Sequence, residues 1–144
     1  MRLSLHTDFS LRLLVFLAAN VEGKPIGAAR IAERFKVSGH HMQKVAQTLR
    51  RLGYVTSRSG RQGGLALARP AETVRVGDVV EALEGRGQMA DCRRGPCLFL
   101  GACALKVALD RAERGFIDDL RRYTIADVIR GPMRVQLDGL LRAA

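Results

Sequence analysis

The chain contains no tryptophan, and its aromatic residues make up only 5%. Rings therefore cannot carry the core, and Leu, Val and Ala must supply most of the packing. No apolar run reaches the roughly 18 residues a membrane-spanning helix needs. The longest one near the start, Leu13 to Ala19, follows Asp8 and Arg12, lacks a signal-peptide layout and reads as helix core. These absences lead us to expect a cytoplasmic chain with no membrane partner. Cysteine is scarce and odd in number, which argues against a disulfide framework. No histidine follows His41, and there is no C-x2-C pair and no Cys-His pair close in sequence, so a thiol oxidoreductase has little support and no enzyme is expected. There is no internal repeat and no low-complexity tract.

Positive charge is abundant and unevenly placed. Of a net +10, residues 28–69 carry +8: nine Lys/Arg (Arg30, Arg34, Lys36, Lys44, Arg50, Arg51, Arg58, Arg61, Arg69) against Glu33 alone. Residues 76–144 carry eleven bases and ten acids. A solvated basic face is the ordinary explanation for scattered charge. Concentration in one segment instead points to a polyanion. RNA is the less favoured one, because no aromatic RNP-type motif is present.

The periodicity of that segment says how it is built. Phe9, Leu13, Phe16 and Leu17 recur at helical spacing, with Thr7 as the predicted N-cap. Ala28, Ile31, Ala32 and Phe35 mark a short second helix. Ser38 caps a third, whose buried face is Met42, Val45, Ala46 and Leu49, and Gly53 closes it. Two β-prone stretches, 54–58 and 65–69, flank the turn Ser59–Gly64. Helix, turn, helix and basic hairpin make a winged helix-turn-helix. A recognition helix presents its N-terminal residues to base edges in the major groove. The candidate readers are Ser38, His40, His41, Gln43 and Lys44, with Gln43 suited to adenine and Lys44 to guanine or phosphate. Arg50 and Arg51 are candidate phosphate contacts, and Arg58 and Arg61 candidate wing contacts.

Beyond the wing, Val76, Val79, Val80 and Leu83 mark a short helix. Leu105, Leu109, Ala112, Phe116, Leu120 and Tyr123 mark one long helix, and Thr124 with Asp127 opens another. From Gly131 the pattern weakens, and a poorly ordered tail is expected. The expected fold is mostly α with a small β-hairpin wing. Its expected divisions are a DNA-binding domain over 1–83, a cysteine loop and long helix over 84–130, and a tail over 131–144.

All three cysteines lie within twelve residues, as Cys92-x4-Cys97-x5-Cys103. Gly95, Pro96 and Gly101 permit tight turns there, and Arg93, Arg94 and Lys106 favour thiolates. Structural zinc usually takes a C-x2-C knuckle and four N/S ligands. An iron–sulfur cluster tolerates wider spacing and a non-cysteine ligand. The residues favour the cluster over zinc, and over a thiol redox switch without metal.

Together these residues resemble the NsrR family of nitric-oxide-sensing iron–sulfur repressors, relatives of the iron–sulfur regulator IscR. The resemblance spans nearly all of residues 1–130. It is carried by Met1-Arg2-Leu3, His6-Thr7-Asp8-Phe9, Leu11-Arg12, Val37-Ser38, His41-Met42, Lys44-Val45, Gly53-Tyr54-Val55-Thr56, Gly63-Gly64, Val76-Gly77-Asp78-Val79-Val80, the cysteine spacing and Tyr123-Thr124-Ile125-Ala126-Asp127. It implies a homodimer whose interface is the long helix 103–122. It also implies a [4Fe-4S] cluster on Cys92, Cys97 and Cys103, with Asp8 of the partner chain as fourth ligand and Arg12 supporting that carboxylate. It further implies repression at a palindromic double-stranded operator, relieved when nitric oxide nitrosylates the cluster. The alternative is a regulator of the same fold that senses iron or cluster supply. Relatives of the IscR type carry a histidine three residues after the last cysteine. Lys106 stands there, which disfavours a [2Fe-2S] site. Gly39-His40 replaces the usual Arg-Asn of the recognition helix, and Arg58 stands one place earlier than usual in the wing. In a strand, one place is the opposite face.

Overall fold

The computed structural model describes residues 2–20, 22–60, 63–86, 92, 95, 97, 99 and 101–142. Helix α1 (Leu5–Ala19) runs through the middle of the DNA-reading half. Leu13, Leu14, Phe16 and Ala19 are at most 1% exposed, and Thr7 and Ser10 are buried as well. A helix buried on nearly every side is a central one. Its N-cap is Ser4, whose hydroxyl accepts the Thr7 N–H at 3.2 Å. Thr7, the expected cap, lies one turn inside, where its small side chain fits the core.

Helix α2 (Ala28–Phe35) and α3 (Gly39–Arg51) follow as expected. The link between them turns at Lys36, in the left-handed region at φ 53°. Ser38 caps α3, accepting from the His41 N–H at 3.1 Å. Met42, Val45 and Leu49 face the core at 0% exposure. Gly53, at φ 74°, lets the chain leave α3 and start the wing.

Strands β1 (Val55–Arg58) and β2 (Gly64–Leu67) pair antiparallel, from Val55 opposite Leu67 to Arg58 opposite Gly64. Ile26, between α1 and α2, adds a single bridge to Leu65 through hydrogen bonds of 3.0 and 2.8 Å. That approach requires glycine at 64, since a Cβ there would lie 2.5 Å from the Ile26 backbone.

A 3-10 turn (Ala71–Thr73) leads into α4 (Val76–Glu84), which packs on the long α5 (Ala104–Leu120). Gly77 makes the contact close, because a Cβ would sit 2.4 Å from the Ile117 carbonyl oxygen. Arg121 pins the same pair, bonded to Asp78 at 2.7 Å, Glu81 at 2.6 Å and Asp118 at 2.8 Å. Tyr123, expected on the long helix, lies beyond its end and is 51% exposed. The chain turns back there to pair with 74–76: Val76 N–H donates to the Tyr123 carbonyl, and Ile125 N–H to that of Val74. Helix α6 (Ile125–Val128) starts with the expected capping box of Thr124 and Asp127. The region after Gly131 is a helix, α7 (Pro132–Arg142), and not an irregular tail. Pro132 suits its first turn, and Leu137, 6% exposed, anchors it in the core beside α1.

Candidate nucleic-acid interface and cysteine segment

The core side of α3 leaves the other side to solvent. His40, Gln43, Lys44 and Arg51 are exposed, as are Ser38 and Gly39 at its start. Gln47 is exposed too, one turn beyond Gln43 and Lys44, and extends this polar face. Its spacing from Gln43 was the signal available in the sequence. His41 is placed differently from its neighbours. It is half-buried, with its ring edge-on to Phe9 at 5.1 Å and to His6 at 6.4 Å. Its Nε2 is buried and has no hydrogen-bond partner among the described residues. Position 41 is one turn before Val45, so it lies at the margin of the buried face. Burial holds His6 below the usual imidazole range, and the nearby His41 pushes in the same direction.

The basic residues divide by role. Arg50 donates to the Ser57 hydroxyl at 3.1 Å, tying the end of α3 to the wing. Arg58 is exposed at the end of β1, and Arg61 lies outside the described residues. Arg69 is used internally, donating to the Gly53 carbonyl at 3.1 Å and stacking 4.9 Å from the Tyr54 ring centre. Arg69 therefore braces the wing's base, and the charge count overstates the number of free cations.

The first turn of α1 meets two other regions. Asp8 and Arg12 are paired at 2.8 Å, and Arg12 lies 5.4 Å above the Phe9 ring. The Ser4 N–H donates to Glu84 at 2.8 Å. Glu84 is the last residue of α4, at the entrance to the cysteine segment. Burial alone would raise its pKa, but hydrogen bonds from Thr7 and Ser4 outweigh burial and hold it below the usual carboxylate range. No spacing rule could have revealed this link, which joins residues 80 apart in sequence.

Cys92, Cys97 and Cys103 are all free and half-buried. Cys103 is the N-cap of α5, and its sulfur accepts the Lys106 N–H at 3.4 Å. The Lys106 ammonium pairs with Asp110, which raises its pKa, and it also feels Cys92. Three unpaired thiols, one of them capping a helix, are donors of the type an iron–sulfur cluster takes. Among the described residues, no three His, Cys, Asp or Glu side chains converge within the single chain. The donor chemistry fits such a cluster, while the thiols would have to draw together around it.

Residues 3–131 match the Rrf2 family, described as an iron-dependent transcriptional regulator. The chain belongs to the Rrf2 family. Rrf2 proteins are transcriptional regulators and not enzymes, and the winged helix above is their DNA-binding fold. Solved structures agree across most of the chain. IscR from T. potens has 25% identity and a TM-score of 0.72, covering 90% of this chain and 86% of its own. The oxidized form of CymR from Staphylococcus aureus has 26% identity and a TM-score of 0.73, covering 91% and 98%. CymR from B. subtilis, the global cysteine regulator, has 22% identity and a TM-score of 0.71, covering 89% and 95%. No helix among the described residues is long and apolar enough to cross a membrane.

Proposed function

We propose that this Rrf2 protein is a repressor that senses nitric oxide through an iron–sulfur cluster bound between two copies of the chain. The observation that carries the proposal is the trio of free, half-buried thiols closed by Cys103 at the N-terminus of α5. Cys92, Cys97 and Cys103 would hold a [4Fe-4S] cluster, with Asp8 of the partner chain as fourth ligand. When bound, the cluster supplies iron open to attack by nitric oxide. An oxygen ligand is a weaker tie than a thiolate, so Asp8 would be the weakest of the four residues holding the cluster.

The chain's own residues then carry the response. Asp8 would tie the first turn of α1 to the partner's cluster site, and that turn would be less constrained without the tie. That turn bears Phe9 and His6, which pack on His41 of the recognition helix. A shift there moves His40, Gln43 and Lys44 relative to the bases they read. Ser38, Arg50, Arg51, Arg58 and Arg61 supply the helix cap and the phosphate contacts. The dimer places two such helices on a palindromic operator.

Anaerobically purified protein is expected to contain iron and sulfide and to show broad visible absorption. That absorption should change with a few equivalents of nitric oxide, with operator binding falling in step. Cys97→Ala protein that still binds operator tightly and still responds would refute the reading. Sensing of iron or cluster supply is the second reading, favoured by the family's iron-dependent description. Release of operator on iron starvation, with no response to nitric oxide, would select it.

A further inference from the structure

Helix α7 lies beyond residue 131, where the family match ends. It forms one wall of a cleft of about 950 Å³. The other walls are the α1–α2 loop, the start of α2 and Gly63 of the wing turn. The Ile26–Leu65 bridge fixes that loop against the wing. The cleft therefore sits at the flank of the DNA-reading unit, next to the turn that carries the wing's charge.

The charge of the cleft is unbalanced. Four cations line it, Lys24, Arg30, Arg134 and Arg142, against Glu22 and Asp138. Lys24 pairs with Glu22 at 2.9 Å and Arg134 with Asp138 at 3.0 Å. Arg30 and Arg142 are exposed and have no carboxylate partner among the described residues, leaving a surplus of two positive charges. Small-molecule pockets are mostly apolar, with a few polar groups placed for orientation. This cleft mixes apolar and polar lining but adds two cations with no carboxylate partner among the described residues, a surplus that suits a line of phosphate charge more than a compact neutral ligand.

We propose that this cleft is a second contact with the DNA backbone, in which Arg142 of α7 and Arg30 of α2 hold phosphates flanking the site read by α3. The inference rests on the DNA-binding reading above and extends its footprint. Arg134 stands in reserve, held back by Asp138.

Phosphate contacts do not depend on base sequence, so a mixed-sequence duplex of about three helical turns serves as probe. Each neutralised phosphate contributes roughly 0.9 to the slope of log K against log salt. Binding of the full chain by fluorescence anisotropy, at several salt concentrations, reads that slope. Arg142→Ala and Arg30→Ala are each expected to lower the slope by about 0.9 per chain and to weaken binding several-fold at moderate salt. Both side chains are at the surface, and an unchanged melting temperature confirms the fold. Asp138→Asn is expected to tighten binding by freeing Arg134, a gain that misfolding cannot imitate. Unchanged slopes in Arg142→Ala and Arg30→Ala overturn the proposal. So does loss of citrate or pyrophosphate binding in those variants with DNA binding intact, which would make the cleft an effector pocket. The Arg50→Ala/Arg51→Ala protein separates the two levels. If its slope falls while that of Arg142→Ala does not, only the cleft proposal fails; if neither falls, the assigned DNA face fails too.

Discussion

The two halves of the molecule are finished to different degrees. Up to Val80, each helix has a fully or nearly fully buried face supplied by its own chain: Phe16, Ile31, Met42, Leu49 and Val79 are at most 1% exposed. In α5, by contrast, only Glu113 and Ile117 are buried, while Leu105 is 67%, Val107 65% and Phe116 38% exposed. A 17-residue helix with that much apolar surface in water lacks something to cover it. One half is a self-sufficient reading head. The other leaves apolar side chains of α5 uncovered by its own chain, as the proposed dimer requires.

The sharpest way to break this contrast is a pair of truncations. Leu49→Ala removes a fully buried side chain and should cost about 3 kcal/mol, seen as a lowered denaturant midpoint. Leu105→Ala should change the stability of a monomer by less than about 0.5 kcal/mol. If Leu105→Ala costs as much as Leu49→Ala at low protein concentration, the two halves are equally self-contained and the contrast is wrong.

Phe116→Glu tests what covers α5. If the proposed two-fold interface covers α5, a charge at Phe116 should convert dimer to monomer in sedimentation, and loss of bivalent binding should weaken operator affinity on the order of 100-fold. The melting temperature of the monomeric form should barely move. A variant that stays dimeric would show that another surface joins the chains.

A smaller effect is expected at the start of the reading helix. Ser38→Ala removes the hydroxyl that accepts the His41 N–H and should cost about 1 kcal/mol. Because the cap also fixes where α3 begins, operator affinity should fall with it. Ser38→Asp should retain the cap and the stability but weaken DNA binding, since it puts a negative charge beside phosphate.

Legibility in the sequence follows the same division. The helices of the reading head were readable because Ala28–Phe35 and Met42–Leu49 repeat at the helical period and Ser38 and Gly53 mark the ends. The wing was readable from alternation around a glycine turn. Errors arose where tertiary contacts decide between equivalent local choices. Ser4 and Thr7 can both cap, and burial of Thr7 selects Ser4. Tyr123 fits the stripe of α5, yet pairing with 74–76 ends that helix at Leu120. Helix α7 looked irregular because only Leu137 is deeply anchored. The cysteine spacing suggested a donor set, but among the described residues the three thiols do not converge, and spacing along the chain carries no information on that geometry. Nothing in the sequence indicated that Glu84 holds the N-terminus of α1.

That clamp gives the smallest prediction and the one most specific to the join between the halves. Glu84 is held below its ordinary value of 4.5 by hydrogen bonds from Thr7 and Ser4 that outweigh its burial. Since folding depresses the pKa, the unfolded chain binds more protons in this window, and stability rises with pH across it. The contribution is complete above pH 4.5 and is lost as pH falls through the folded value. Other carboxylates share the acid limb, Asp127 among them, held low by Thr124. The informative quantity is therefore the difference between wild type and Glu84→Gln. Their melting temperatures should differ most above the ordinary carboxylate value and converge as pH falls well below it. Parallel curves would mean that Glu84 is a spacer at the end of α4. Convergence would mean that the entrance to the cysteine segment is tied by charge to the helix on which the reading head is built.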